Sequence, residues 1–257
     1  MKKIKLLLCL FMLTTLCGCS NSNKNESSKT LNAAMFWIST SLDPTNNYDG
    51  WVLSRIGVGE TLLKLNEKYE VEPSLAKSYE QIDDTTWKLT LKDHITFSNG
   101  NKVTGENVKA CLERAFEKNT RAIDYFDLNH VEADKQDVYL YLNKSSGAIL
   151  NNLCEPLFTI YDASQSEVDI AKHPLCTGPF VVDDFVSEKT IDTSKNKKYY
   201  DGKAKLDHVH FSQVADSDAR VLALQSGEVD LANTIDYSSL KLFRNNKDYQ
   251  VLEVLGP

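Results

Sequence analysis

Apolar and polar residues alternate through 86–91, where Trp87, Leu89 and Leu91 share one face, and this period of two predicts a strand. A second strand is expected over 77–81, joined to the first by the Asp83-Asp84 turn. The period changes at 104–117: Val108, Cys111, Leu112, Ala115 and Phe116 recur at helical spacing behind Thr104, a residue suited to cap a helix start. Further strands are expected at 31–38, 130–133, 138–142 and 206–211, with a hairpin over 180–185 and 189–194 that turns near Ser187-Glu188. Helices are expected at 52–63, 149–153, 218–225 and 237–244, and a last strand at 251–257. The loop 41–51 is dense in turn formers, and Asn99-Gly100 marks another turn. That mixed order points to an α/β or α+β build in two layers.

The first thirty residues follow a different rule. Behind Lys2, Lys3 and Lys5, residues 6–16 are apolar except for Thr14 and Thr15. The run is about half the ~20 residues a spanning helix needs, so residues 1–18 read as a signal peptide. It closes on Leu16-Cys17-Gly18-Cys19, which resembles a bacterial lipobox and marks Cys19 for lipidation; Cys17 stands where a smaller residue is usual. Residues 19–30 are polar and lack large apolar side chains, which predicts a flexible tether.

Composition narrows the function classes. With 42% hydrophobic and 25% charged residues the chain is ordinary globular material. Its net charge of −7, which loss of the leader's three lysines would deepen, argues against nucleic acid as a partner. Of six cysteines, Cys111, Cys154 and Cys176 fall in the folded body; they match no zinc spacing, Cys111 reads as a small core residue, and one disulfide among the three stays open. His208 and His210 share a strand face, read as exposed rather than metal-binding, and His94, His130 and His173 read as surface or turn residues. Asp83-Asp84 and Asp183-Asp184 read as turn carboxylates, and Lys195-Asn-Lys-Lys198 as a solvated edge. No nucleophile elbow, zinc-protease helix or phosphate loop is present, so neither an enzyme nor a bound cofactor is expected.

Several segments, in order, are similar to family 5 of the bacterial extracellular solute-binding proteins. They are Leu42-Asp-Pro44, Glu60-Thr-Leu62, Pro73-Ser-Leu-Ala-Lys-Ser-Tyr79 and Trp87-Lys-Leu-Thr-Leu-Lys-Asp93. Phe97-Ser-Asn-Gly100, Thr104-Gly-Glu-Asn-Val108, Thr177-Gly-Pro-Phe180, Asn196-Lys-Lys-Tyr-Tyr200 and the run from Ala219-Arg220 to Asp230 continue the series. The resemblance spans 31–257 and implies a periplasmic-binding-protein-like fold of type II, two lobes closing on a solute. Family members are longer, so this chain is expected to be the first lobe with part of the hinge region, the second lobe largely missing.

The same resemblance implies a receptor for an oligopeptide, nickel or a metal chelate, and a tethered monomer is the default expectation. It would serve an ABC permease and ATPase from the outer face of a membrane or a periplasm. It also places Tyr48, Trp51, Arg121 and Tyr125 in the cleft: aromatic surface for stacking, and a guanidinium able to grip a carboxylate. The segment 153–158 carries no arginine, although chelate binders place one nearby. A surface lipoprotein that signals, chaperones or adheres on the same scaffold, or a non-functional fragment, is the competing reading.

Overall fold

A computed structural model describes residues 28–253. The expected signal peptide, the Cys19 lipidation site and the tether up to residue 27 lie outside the described residues, as do residues 254–257 of the expected last strand; 251–253 are coil, not strand. Among the described residues no helix is long and apolar enough to cross a membrane.

The chain opens with β1 (Thr30–Met35) and α1 (Gly50–Arg55), followed by a short ribbon of β2 (Leu63–Leu65) and β3 (Val71–Pro73). Next come β4 (Ala76–Gln81), β5 (Thr86–Leu91), α2 (Gly105–Lys118), α3 (Ala122–Tyr125), β6 (Leu128–Asp134) and β7 (Asp137–Leu142). These strands pair antiparallel in the order β4-β5-β7-β6. Leu89, Leu91, Val138 and Leu140 are buried on one face, where α2 supplies Val108, Cys111, Leu112 and Ala115 to the same core. The start of α2 is closed reciprocally. Asn107 N–H donates to Thr104 Oγ1 at 3.4 Å, and Thr104 N–H donates to Asn107 Oδ1 at 2.9 Å.

The remaining elements are α4 (Ile149–Asn152), a 3₁₀ turn at Pro156–Phe158, α5 (Glu167–Lys172), β8 (Phe180–Val186), β9 (Thr190–Lys195) and β10 (His208–Gln213). They are followed by α6 (Ser217–Ser226), β11 (Leu231–Ala232) and a 3₁₀ turn at Tyr237–Leu242. A five-stranded sheet runs β11-β1-β10-β9-β8, with β1 parallel to both neighbours. The core is continuous between the sheets, since Met35, Ile191 and Val209 belong to the same buried cluster as Leu89 and Leu140. This is the mixed α/β architecture that the pattern predicts.

Four expectations need correction. The helix expected over 52–63 stops at Arg55, because Gly57 turns the backbone to φ +70°. That turn lets Gly178 N–H reach Val58 O at 3.0 Å and Phe180 N–H reach Gly57 O at 3.1 Å. A Cβ on Gly178 would stand 2.6 Å from both carbonyl oxygens, so only glycine fits the crossing. Asp183 and Asp184 lie within β8, next to a register shift, rather than in a turn. The lysines of 195–198 are exposed as expected, but the stretch is no sheet edge: β9 is an interior strand, Asn196 is buried and donates to Gly178 O at 2.8 Å, and Lys198 Nζ caps Asn99 O at 2.6 Å. Finally, the helix expected at 237–244 is a 3₁₀ turn.

Glu60 ties the scattered family segments together. Thr177 Oγ1 donates to its Oε2 at 2.7 Å, and the Tyr200 and Tyr199 hydroxyls donate to Oε1 at 3.1 and 3.3 Å. Burial raises the Glu60 carboxyl above its usual range, and those three donors hold it back only in part. Cys111, Cys154 and Cys176 are free thiols. Burial pushes the Cys111 thiol up to about 12 and Cys176 well above the usual value, which leaves both inert.

His94, His130 and His173 are surface residues as expected. His210 Nδ1 lies 2.6 Å from Asp192 Oδ1 on the facing strand. Among the described residues no three His, Cys, Asp or Glu converge as metal ligands.

Candidate functional site

The loop after β1 is fastened to α2 by a largely buried ion pair. Arg114 Nη1 and Nη2 grip Asp43 Oδ1 and Oδ2 at 2.8 and 2.6 Å, and Nη1 also reaches Thr45 Oγ1 at 2.7 Å and Tyr161 Oη at 2.8 Å. Just past α2, Asn119 Nδ2 donates to the carbonyls of Thr45 and Asn47, each at 3.1 Å. Arg121 Nη1 adds a bond of 2.9 Å to Asn47 O. The loop 43–49 is therefore held at several points by one helix end. Its tip residue Tyr48 stays 54% exposed, an aromatic ring presented to solvent on a rigid support.

On that support the expected residues converge. The Arg121 guanidinium lies 3.7 Å above the centroid of the Tyr48 ring, and its Nη2 donates to the Tyr125 hydroxyl at 2.6 Å. Tyr125 is wedged edge-on against buried Phe158 at 5.7 Å. Burial, reinforced by the Glu155 carboxylate, pushes its phenol up to about 12, so it stays protonated across the physiological range. Trp51 does not touch Arg121. Its Nε1–H donates to Glu155 Oε1 at 2.9 Å, and it joins the others through that carboxylate.

Three members escaped the sequence reading: Phe36, Arg55 and Glu155. Arg55 sits one helical turn after Trp51, with its Cζ 5.3 Å from the Trp51 ring and 5.4 Å from the Phe36 ring. The i,i+4 spacing from Trp51 was the available signal for it. Glu155 stands 104 residues from Trp51, and no local pattern marks it. The result is one continuous series: Phe36, Arg55, Trp51, Glu155, Tyr125, Arg121, Tyr48. Aromatic rings and charges alternate along it, which suits a polar solute needing both stacking and charge recognition. A separate recess of about 150 Å³, lined by Ser54, Glu60, Lys64 and Cys154 among others, is below the usual volume of a solute site.

Gly50 makes the series possible. A Cβ there would collide with the backbone carbonyl of Pro156, a contact with no flexible partner to yield. Gly50→Ala is expected to push α1 off the 156–158 turn, costing about 2 kcal/mol in overpacking and parting Trp51 from Glu155. A shift in Trp fluorescence together with a lowered urea midpoint would verify this; an unchanged midpoint would contradict the close approach.

The mixed α/β body matches solved binding proteins in fold. The NikA of Staphylococcus aureus, crystallised with Ni(L-His)2, superposes with a TM-score of 0.80 at 31% identity, over 86% of this chain and 46% of that one. A nickel ABC transporter protein of Bacillus halodurans gives 0.80 at 29% identity, over 86% and 46%. In sequence, the nickel-binding protein NikA of S. aureus strain NCTC 8325 is 32% identical over 241 residues, 94% of this chain and 48% of the relative. The glutathione-binding protein GsiB of Escherichia coli O1:K1 is 29% identical over 200 residues, 74% and 39%. The chain thus spans about half the length of its relatives or less.

The fold is that of about half of a two-lobed periplasmic binding protein, a class that captures solutes and does not catalyse. The family model "Bacterial extracellular solute-binding proteins, family 5 Middle" matches residues 70–257, and the chain belongs to that family.

Proposed function

We propose that this chain is the solute-capturing part of an ABC importer receptor. It takes up an oligopeptide, nickel or a metal chelate outside the cytoplasm and hands it to a membrane permease driven by an ATPase. The observation that carries the reading is the alternating series from Phe36 to Tyr48, built on a scaffold whose relatives include nickel- and glutathione-binding proteins. Tyr48, Trp51, Arg121 and Tyr125 supply the contact surface. A second lobe, contributed by sequence beyond this chain, would close over it and exclude water.

A ligand that binds only the folded state raises its melting temperature by mass action, about 2.7 kcal/mol at a hundredfold excess over Kd. Thermal scans with di- to pentapeptides, free nickel, nickel–histidine and nickel–citrate are expected to give a shift with at least one. No shift with any of them would defeat the reading.

The sequence reading of Cys19 as an acylated anchor stands beside this as part of the proposal. Cys19→Ala is expected to move the protein from the membrane to the soluble fraction, and its continued sedimentation with membranes would refute the anchor.

A further inference from the structure

Within the series, two groups have recognition capacity that the chain itself does not use. Arg55 makes no side-chain hydrogen bond or ion pair with another of the described residues; the rings of Phe36 and Trp51 flank its guanidinium, which carries five N–H donors. Glu155 accepts from the indole N–H of Trp51 and lies beside the Tyr125 hydroxyl, and its carboxylate forms no ion pair among the described residues. Arg121 differs. It is already committed to Asn47 O, the Tyr125 hydroxyl and the face of Tyr48. Among the described residues the series therefore offers one cation without a side-chain hydrogen-bond or ion-pair partner and one anion without an ion-pair partner. Both rest on the same indole, Arg55 over its face and Glu155 at its N–H.

We propose that this face selects a solute bearing both a carboxylate and an amine, an amino acid or short peptide, whether free or complexed to a metal. Arg55 takes the carboxylate and Glu155 the amine N–H. This deepens the solute-capture reading and rests on it. A planar guanidinium held between rings is pre-organised for a carboxylate. Glu155 excludes as well as attracts. A polycarboxylate chelate would bring several anionic groups to a single free guanidinium, with a protein carboxylate beside it, and like-charge juxtaposition is how such sites reject competitors. Specificity then depends on the charge at position 155.

The test uses the full chain and titrations followed by calorimetry and Trp fluorescence. Trialanine, nickel–L-histidine and nickel–citrate are compared first. At least one of the two amino-acid probes is expected to bind tenfold or more tightly than nickel–citrate. End-blocked forms of the parent that binds then separate the contacts: trialanine against its N-acetyl and C-amide forms, or histidine against N-acetylhistidine and histidine amide. Glu155→Gln is expected to weaken the free-amine probe about tenfold and leave the N-acetyl form unchanged, since a hydrogen bond to a charged group is worth about that factor. Arg55→Met is expected to weaken the free carboxylate about tenfold and leave the amide unchanged. Circular dichroism with a thermal melt confirms that both variants fold.

Equal losses on blocked and free forms would overturn the assignment, because a merely structural role would weaken both alike. Binding of nickel–citrate alone would overturn the ligand class while solute capture stood. Failure of the wild-type chain to bind any of the probes would bring down both.

Discussion

Arg114→Met is expected to destabilise the fold by about 3–5 kcal/mol at pH 7, the usual consequence of removing one partner from a buried ion pair. Both side chains are about 13% exposed, and the two forked bonds to Asp43 leave water little access. For Asp43 the opposing influences are visible separately. Burial alone would raise its carboxyl, yet the bonds from Arg114 and Thr45 outweigh burial and hold it below the ordinary value. Without the guanidinium only the raising influence and the Thr45 bonds remain. The variant's deficit should then shrink as pH falls and Asp43 takes up a proton. Urea unfolding at pH 7 and pH 4 reads both effects, and a loss below about 1 kcal/mol would place the pair among exposed ones. Because Asp43 anchors the loop that carries Tyr48, the variant should also be cut by protease near Asn46-Asn47 before the wild type is.

Asp49→Asn is expected to act in the opposite direction. Asp49 is buried, and burial, aided by the nearby Asp43 carboxylate, pushes its carboxyl up to about 6 from 3.8; the bond from Asn46 Nδ2 at 2.6 Å resists only in part. A carboxyl raised in the folded state favours folding while it is protonated. That contribution is complete below the unfolded value near 3.8 and is lost as pH rises through about 6. The wild type therefore carries a penalty at pH 7 on the order of 2–3 kcal/mol. The asparagine variant keeps an acceptor for Asn46 and carries no charge. It should melt higher than wild type at pH 7.5, match it near pH 4, and show a flatter slope between. A wild-type melting temperature that does not fall from pH 4 to pH 7 relative to the variant would disprove the assignment.

What could be read from the sequence was whatever local chemistry decides. The alternation in β5 and β7 and the stripe on α2 with its Thr104 cap are short-range patterns, and they appear where expected. The ribbon β2–β3 and the two-residue β11 were not legible, because such short strands exist only through their partners. The overextended first helix shows the same limit: its apolar spacing continues past Arg55, but the crossing by Gly178 breaks it.

The site divides along the same line. Tyr48, Arg121 and Tyr125 do meet, but Glu155 becomes part of their series only because Gly50 allows two backbones to approach. Likewise the run at 195–198 looked like a sheet edge because nothing in it reveals that Asn196, between exposed lysines, plugs a distant carbonyl.

The position of β1 has a kinetic consequence. Its six residues register against 208–213 on one side and 231–232 on the other, so the first strand made is an interior strand whose two partners arrive some 180 to 200 residues later. Pairing at that separation is slow, and an emerging polypeptide cannot complete it. Ribosome-bound chains shorter than about 230 residues should remain sensitive to protease across β1, a state in which a secretion channel could still thread them.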